Sequence, residues 1–261
     1  MGGALPEDPP ASLAGGIGQE FIEKTKYKHL GASGQQTGVH PPSLEADFGK
    51  GGEKFDLSSP DRVESELKKY IDGRTSVREY RKEHISKDEL SYLLWCTQGV
   101  KKVVDGMYTF RTVPSAGARH ALETLVLVNN VRGLATGVYR YLALEHKIQE
   151  FATREAVADE IAHACFGQDF VKKSAVTFIW VAVSDRMTWR YSERGYRYIL
   201  LDAGHVCQNL YLAAESIGCG VCAVGAYDDD AINKLLGLDG KNKFVIYIAA
   251  AGRKILQGDE K

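Results

Sequence analysis

The sequence predicts an α+β fold, in which helices cover a central sheet that is mixed but mainly antiparallel. Strand and helix patterns alternate along the chain at irregular spacing, unlike the regular spacing of a parallel βαβ array. Two strand patterns at 137–142 and 147–151, with Glu145 near the turn between them, predict a hairpin. A continuous β-branched and aromatic run at 175–184 predicts a buried central strand.

Local signals predict the other elements. Ser86 is followed three residues later by Glu89, a capping-box spacing that predicts a helix to about Cys96. Three Asp residues at 228–230 suit the positive N-terminal end of a short helix that ends near Leu236. The remaining predictions are helices at 19–26, 62–71, 154–165 and 195–217, strands at 122–129 and 244–251, and an exposed segment at 74–80.

The chain divides by composition into two parts. Residues 1–60 hold much of the Pro and Gly and show little apolar periodicity, which predicts an extended N-terminal arm. Such an arm is either partly disordered or packed across a neighbouring subunit. Residues 61–261 are predicted to form one folded domain.

Charge and hydropathy exclude several classes of function. The formal net charge is -1 and there is no dense run of Lys or Arg, so no electrostatic footprint for nucleic acid is present. The longest apolar runs are shorter than the roughly 20 residues that span a bilayer. The N-terminus lacks the basic and apolar regions of a secretory signal, so we expect a cytoplasmic protein without membrane contact.

The five cysteines predict neither disulfides nor a metal site. An odd number of cysteines argues against a disulfide framework, and a single C-x-x-C does not make a zinc site. That motif, Cys219 and Cys222, follows a helix C-terminus rather than the N-terminus that favours a thiolate. We interpret both as packing residues, with a redox pair as the alternative.

A candidate anion site lies at Arg74-Thr75-Ser76-Val77-Arg78. In an extended segment, alternate side chains point the same way, so Arg74, Ser76 and Arg78 share a face. Two guanidinium groups and a hydroxyl on one face match the oxygens of a phosphate. The alternative is a solvated polar edge.

Segments rich in small residues are candidates for close approach of a ligand to the backbone. Gly permits unusual dihedral angles, and small side chains leave backbone amides accessible. A plain turn is the alternative for each. The segments are Pro114-Ser115-Ala116-Gly117, which precedes a predicted strand, and Gly218 to Gly225, which follows the long predicted helix and ends in Val224-Gly225.

Aromatic and basic side chains are concentrated between 189 and 198. This stretch includes Arg190 and Tyr191 and is either a lid over a planar ligand or the start of a helix with a basic face. Asp202 and His205 are spaced to share a proton on the helix that follows, although a satisfied core or interface histidine is the commoner case. Arg253, after the last predicted strand, could meet a phosphate or lie in solvent.

The order of these motifs resembles the nitroreductase superfamily. An Arg-x-Ser-x-Arg-x-Tyr segment comes first, then Pro-Ser-Ala-Gly before a strand, Gly-Cys-Gly, Val-Gly, and Gly-Arg after the last strand. The resemblance covers roughly 73–253 and is greatest to the branch of the SagB and thiazoline/oxazoline oxidase dehydrogenases. The sequence motifs that indicate this branch lie at residues 113–120, 137–141, 195–198 and 202–205.

The resemblance implies a three-layer sandwich that binds FMN at the interface of a homodimer. Carried over by position, Arg74, Ser76 and Arg78 would hold the phosphate, the ribityl chain and the N1/O2 edge of the flavin. The partner subunit's copy of Pro114, Ser115, Ala116 and Gly117 would line the ring. Val224 and Gly225 would present amides near N5, and Arg253 would reach the phosphate.

The implied activity is two-electron hydride transfer through the flavin, linked to NAD(P)H and directed at a small acceptor such as a nitroaromatic or quinone. An azoline dehydrogenase that modifies peptides, and a non-catalytic flavin-binding subunit, are the alternatives. Azoline-oxidising members carry Lys-Tyr where this chain has Arg190-Tyr191. Arginine stays protonated, which argues against a lysine-dependent proton abstraction and leaves Tyr191 to exchange a proton.

Overall fold

The computed structural model describes residues 16–45, 54–154 and 156–255. The predicted arm therefore lies partly outside the described residues, at 1–15 and 46–53. The helices are α1 (Ile17–Lys24), α2 (Glu66–Gly73), α3 (Lys87–Gln98), α4 (Val157–Ala164), α5 (Phe170–Lys173), α6 (Ser184–Tyr191), α7 (Gly195–Ser216) and α8 (Asp229–Leu235). The strands are β1 (Val100–Val104), β2 (Tyr108–Arg111), β3 (Leu122–Val128), β4 (Gly137–Leu142), β5 (Lys147–Ala152), β6 (Val176–Val183), β7 (Cys219–Val224) and β8 (Lys243–Arg253).

A six-stranded sheet in the order β5-β4-β3-β6-β8-β7 forms the middle layer. Its strand pairs are all antiparallel, and an isolated parallel bridge joins Ser76 to Val221 on β7. The predicted hairpin at 137–151 is the pair β4–β5, and the predicted buried strand at 175–184 is the central strand β6. The α+β prediction is therefore confirmed.

Helices cover both faces of the sheet, which makes three layers. Successive side chains of a strand point to opposite faces, and β3 shows this directly. Val126 and Val128 join a core cluster that includes residues of α3 and α7. Leu125 and Leu127 join a second cluster with residues of α4, α5 and α8.

Two helix starts are formed as the sequence predicts. The Ser86 side chain accepts the backbone N–H of Glu89 at 3.1 Å, and the Glu89 carboxylate accepts the backbone N–H of Ser86 at 2.8 Å. This is the complete capping box of α3. The Asp228 carboxylate accepts the backbone N–H of Ala231 at 2.9 Å and caps α8. The helix predicted at 62–71 is divided into a 3₁₀ turn at Pro60–Arg62 and α2.

Among the helices and strands named above, five were not predicted: the strands β1, β2 and β7 and the helices α5 and α6. The hairpin β1–β2 and the helix α6 have no periodic signal long enough to identify them. The segment 218–225, predicted as an amide-bearing connection, is the edge strand β7 for most of its length. The segment contains three glycines and two cysteines and is mostly buried, so it lacks the alternation of polar and apolar residues that marks a half-exposed strand.

The first described residues of the arm, at 16–28, pack on the body of the same chain. The backbone N–H of Gly18 on α1 donates to the Glu193 carboxylate at 2.7 Å. Lys26 is buried and forms an ion pair with Asp230 at 2.7 Å. The arm is therefore fixed near the N-terminal ends of α7 and α8.

The cysteines are unpaired thiols. Cys219 and Cys222 are both buried, and burial raises the pKa of the Cys219 thiol to about 11 and that of Cys222 above its usual value. A raised pKa disfavours the thiolate that redox exchange requires. This supports their interpretation as packing residues. Separately, none of the helices in the described part of the chain has the length and apolar character needed to cross a membrane.

Candidate functional site

The Arg-x-Ser-x-Arg segment runs alongside β7. The backbone N–H of Val77 donates to the Val221 carbonyl at 2.9 Å, next to the bridge between Ser76 and Val221. Ser76 Oγ lies 3.2 Å from the hydroxyl of Tyr211 on α7. The Arg74 guanidinium lies over the same Tyr211 ring, 5.3 Å from its centroid. Tyr211 therefore positions two of the three predicted anion-binding side chains.

The two arginines of this segment face no anionic partner in the described part of the chain. Arg74 is half-buried and Arg78 is exposed. Neither forms an ion pair with a carboxylate anywhere in the described ranges. Arg78 lies close to Cys222. Burial raises the pKa of the Cys222 thiol, and the positive charge of Arg78 opposes this rise. The arrangement leaves two guanidinium groups available to an anion beside β7.

The end of β7 leaves open space in front of a glycine. Val224 is buried and pairs with Ile248 on β8. Gly225 follows it, exposed, and a Cβ added there would meet no atom within 4 Å. Packing within this chain therefore does not require glycine at this position. A ligand that approaches the backbone closely would require it.

The Pro-Ser-Ala-Gly segment forms a tight turn on α7. The Ser115 hydroxyl accepts the backbone N–H of His120 at 2.9 Å, and the backbone N–H of Ala116 points to the Asp202 carboxylate at 3.4 Å. Asp202 is buried, and burial raises the pKa of its carboxyl group, opposed by hydrogen bonds from Ser115 and Ala116. The spacing in the sequence suggested that Asp202 could pair with His205. In the structure, Asp202 accepts the backbone N–H of Ala116 and so holds this turn.

Gly117 brings this turn against Arg190 and Tyr191. Its φ of 57° lies in the left-handed region, and an added Cβ would overlap the Tyr191 hydroxyl and lie 3.0 Å from Arg190 Nε. The Tyr191 ring packs edge-on against Tyr198 with centroids 4.8 Å apart. No sequence pattern indicated that the two segments meet. Glycine at 117 is required both by its φ and by this contact.

An open cleft of about 870 Å³ borders this turn. Pro114, Ser115, Gly117 and Arg190 line it together with aromatic side chains from the hairpin β1–β2. The cleft has the size of a site for a small organic molecule. Its walls combine aromatic rings, a guanidinium group and accessible backbone.

Arg253 differs from the other predicted cofactor-binding arginines because it already has an anionic partner. Its guanidinium donates to the Glu89 carboxylate at 2.6 Å and to the Ile217 carbonyl at 2.8 Å. Burial lowers the pKa of Arg253, but the pairing with Glu89 raises it, and the pKa is raised overall. These contacts connect the end of β8 to α3 and to the end of α7, so a phosphate would have to compete with Glu89.

The predicted site residues thus form two groups within one chain. Arg74, Ser76 and Arg78 lie beside β7, where Arg74 and Ser76 contact Tyr211, and Val224 and Gly225 lie at the end of that strand. The turn at 114–117 lies with Arg190 and Tyr191 around Asp202. Nine residues of α7 separate Tyr211 from Asp202, about 14 Å along the helix axis. Neither Tyr211 nor the contact of Asp202 was identified from the sequence, because both depend on long-range packing of α7.

Comparison with known proteins assigns the chain to a family. The model of the nitroreductase family matches residues 71–253. MJ1384 of Methanocaldococcus jannaschii, which is named as a nitroreductase, is 36% identical over 204 residues, which are 78% of this chain and 99% of MJ1384. The trifolitoxin-processing protein TfxB of Rhizobium leguminosarum is 30% identical over 154 residues, 58% of this chain and 41% of TfxB.

A solved structure shows the same fold. The Escherichia coli microcin synthetase McbBCD complex with truncated pro-MccB17 contains a chain that superposes with a TM-score of 0.66 at 21% identity, covering 91% of this chain and 87% of that one. The match to the family model spans the sheet and both groups of site residues. This chain is a member of the nitroreductase family.

Proposed function

We propose that the protein is an FMN-dependent oxidoreductase that uses NAD(P)H to reduce a small electrophilic acceptor such as a nitroaromatic or quinone. Bound FMN would supply two-electron hydride transfer through its N5 atom. The membership of the nitroreductase family supports an oxidoreductase. The cofactor and acceptor are inferred from the chemistry of the two groups of site residues.

The observation that carries the proposal is the pair of guanidinium groups of Arg74 and Arg78 beside β7. Arg74 and Arg78 have no carboxylate partner among the described residues, and Ser76 lies between them. Forked donors of this kind match a phosphate and the polar edge of a flavin ring. The residues present therefore fit FMN. Val224 and Gly225 would offer backbone amides, and Arg253 would contribute only by exchanging Glu89 for phosphate.

One face of α7 supports a homodimer. Leu200 and Leu201 are 42% and 59% exposed, and Gly204 on the same face has no atom within 4 Å of an added Cβ. Exposed leucines beside a glycine suit close contact with another helix. Self-association through this face would bring the turn at 114–117 of one subunit toward the Arg74 group of the other. The flavin would then lie between the two groups at the interface.

Arg190 and Tyr191 would act at the substrate side of the site. Arg190 carries a fixed positive charge at the cleft, which can hold a polar substituent of the acceptor. The Tyr191 hydroxyl lies next to Gly117, which lines the cleft, and would donate or accept a proton there. We assign Tyr191 the proton transfer and Arg190 the orientation of the substrate.

The second candidate is an azoline dehydrogenase that modifies peptides. The likeness to TfxB, a toxin-processing protein, favours it. The arginine at 190 argues against a lysine-type base, so Tyr191 would have to carry the proton transfer alone. A third candidate is a flavin-binding subunit without activity of its own.

One experiment separates these candidates. The FMN-loaded protein is mixed under anaerobic conditions with NADH or NADPH, and bleaching of the flavin is followed, then reoxidation by a nitroaromatic or quinone. The proposal predicts bleaching by at least one nucleotide and reoxidation by the acceptor. Bleaching by a thiazoline peptide but by neither nucleotide would favour the azoline dehydrogenase, and no bleaching by any of them would favour the inactive subunit.

A further inference from the structure

A second cavity, of about 400 Å³, lies between the hairpin β1–β2 and the strands β3 and β4. It is adjacent to the cleft at 114–117, because Arg111, Arg119 and His120 line both. The charged side chains that line it are Arg111, Arg119, Arg140, Arg186, Glu123 and Glu145. None of them belongs to the predicted cofactor site or to the Arg190–Tyr191 pair.

Positive charge exceeds negative charge in this cavity. Arg140 and Arg186 share the single carboxylate of Glu123, at 3.1 Å and 2.6 Å. Glu145 is paired with Lys147 at 2.9 Å. The four arginines therefore face one carboxylate that is already bound by two of them.

Two guanidinium groups of the cavity have no carboxylate partner among the described residues. One is Arg119, which donates to the Arg186 carbonyl at 3.1 Å and lies over the Trp189 ring. The other is Arg111. It donates to the side-chain oxygens of Gln98 at 3.0 Å and Thr109 at 3.2 Å, which are both neutral. No carboxylate lies within ion-pair distance of it in the part of the chain that the structure describes. Burial lowers the pKa of Arg111, opposed by the more distant charge of Glu123. A desolvated guanidinium with neutral partners is stabilised by an incoming anion.

His120 adds no competing charge. Its Nε2 donates to the Thr109 carbonyl at 3.1 Å, and burial together with the charge of Arg111 lowers the pKa of its imidazole to about 4. The ring is therefore neutral at pH 7. The excess of positive charge in the cavity comes from arginines, which stay protonated, so it does not change with pH near neutrality.

The rim of the cavity is apolar. Val103, Met107 and Leu144 line it and are 51%, 70% and 68% exposed, and Tyr108 lies beside them. An inorganic anion would leave these side chains in water. A ligand with a carboxylate and an apolar body would contact both the arginines and the rim.

We propose that this cavity binds a small organic carboxylate with an apolar body, with its carboxylate on Arg111 and its body against Val103, Met107 and Leu144. The volume of about 400 Å³ accommodates such a molecule. Arg140 on β4 and Arg186 on α6 remain paired with Glu123 on β3 when the ligand is bound. The site uses none of the residues assigned to FMN, and Arg111 places it next to the cleft at 114–117.

Calorimetric titration of the purified full-length protein tests the site. The probes are hexanoate, its neutral counterpart hexanamide, and inorganic phosphate, with the flavin absorption recorded throughout. We expect saturable binding of hexanoate, at least about tenfold weaker binding of hexanamide and of phosphate, and no change in the flavin spectrum.

Variants locate the binding. Arg111→Gln should weaken hexanoate binding by about tenfold or more, because the charge-assisted hydrogen bonds are lost. Met107→Glu, at an exposed position that the fold does not need, should weaken it by repulsion. Arg154→Gln removes an exposed arginine that is paired with Glu160 away from the cavity, and should change nothing. Thermal denaturation confirms that each variant is folded.

Three results would overturn the proposal. They are equal binding of hexanoate and hexanamide, tighter binding of phosphate than of hexanoate, and no hexanoate binding at millimolar concentration. Equal weakening by Arg111→Gln and Arg154→Gln, or no effect of Met107→Glu, would place the carboxylate elsewhere. If Arg111→Gln does not fold, the effect of Met107→Glu and the comparison of hexanoate with hexanamide and phosphate decide whether the proposal holds.

Discussion

The hydroxyl group of Tyr211 lies 3.2 Å from Ser76 Oγ and accepts the backbone N–H of Ala223 at 3.0 Å. One phenol therefore joins the helix α7, the strand β7 and the Arg-x-Ser-x-Arg segment. The same ring carries the Arg74 guanidinium on its face. The geometry of the proposed phosphate and ribityl site depends on this residue, which the sequence did not single out.

Replacing Tyr211 by Phe should lower the free energy of unfolding by about 1–3 kcal/mol, because the Ala223 N–H loses its partner in a half-buried position. FMN affinity should fall as well, since Ser76 loses its orientation. Urea denaturation and FMN titration measure the two effects. Tyr92→Phe, which removes an exposed hydroxyl paired with Ser216 at 3.0 Å, is the control and should leave both almost unchanged. Equal effects of the two substitutions would argue against this role of Tyr211.

Arg74→Ala and Arg78→Ala should each weaken FMN binding by at least about tenfold, because each removes a charge-assisted contact with the cofactor. Neither side chain has an ion-pair partner among the described residues, so the fold should lose little stability. The dissociation constant is measured by quenching of FMN fluorescence. Arg154→Ala is the matched control. Retention of full FMN affinity by both Arg74→Ala and Arg78→Ala would contradict the proposed cofactor site.

Gly117→Ala should destabilise the protein by about 1–3 kcal/mol, since alanine is strained at a positive φ and its Cβ overlaps the Tyr191 hydroxyl. Tyr191→Phe removes that hydroxyl. The double variant should therefore recover part of the loss, giving a favourable coupling energy in a double-mutant cycle. Additive effects of the two substitutions would show that the contact is not made in solution.

The pH dependence of stability should report Asp202. Burial raises the pKa of its carboxyl group above the value of 3.8, and its Oδ2 has no partner among the described residues. An acid with a raised pKa in the folded state costs stability where it must ionise, so stability is lost as the pH rises from about 4 through the folded-state pKa. Asp202→Asn should therefore be more stable than the wild type at pH 7.

The difference should vanish below about pH 4, where the carboxyl group is protonated in both states. Asp56→Asn, at an exposed position, is the control and should show no such dependence. Denaturation curves between pH 3 and pH 8 measure it. A lower stability of Asp202→Asn at pH 7 would mean that the carboxylate is ionised and stabilising.

Elements with strong local signals could be predicted from the sequence. The capping residues of α3, the apolar run of β6 and the length of α7 each follow from residues close together in the chain. The order of small-residue and arginine motifs likewise indicated the family. What the sequence could not indicate was contacts across long distances, such as Tyr211 with Ser76 or Gly117 with Tyr191. These contacts depend on how α6 and α7 pack, which no local pattern encodes.

Segments without periodicity were also missed. β7 is buried along almost its whole length and carries two cysteines and a glycine, so it shows no alternation of polar and apolar residues. β1 carries Lys101 and Lys102 side by side on a two-stranded ribbon, where neither face is fully buried. Because Arg111 ends β2, the second cavity depends on a hairpin that could not be predicted, and its arginines come from four separate elements.

The visible absorption spectrum of the purified protein, with the mass of any chromophore released on denaturation, tests whether the protein binds FMN. We expect the two absorption bands of an oxidised flavin and the mass of FMN, at one flavin per chain in a dimer. A colourless protein that does not take up added FMN would contradict it. The unpaired Arg74 and Arg78 would then need another anion.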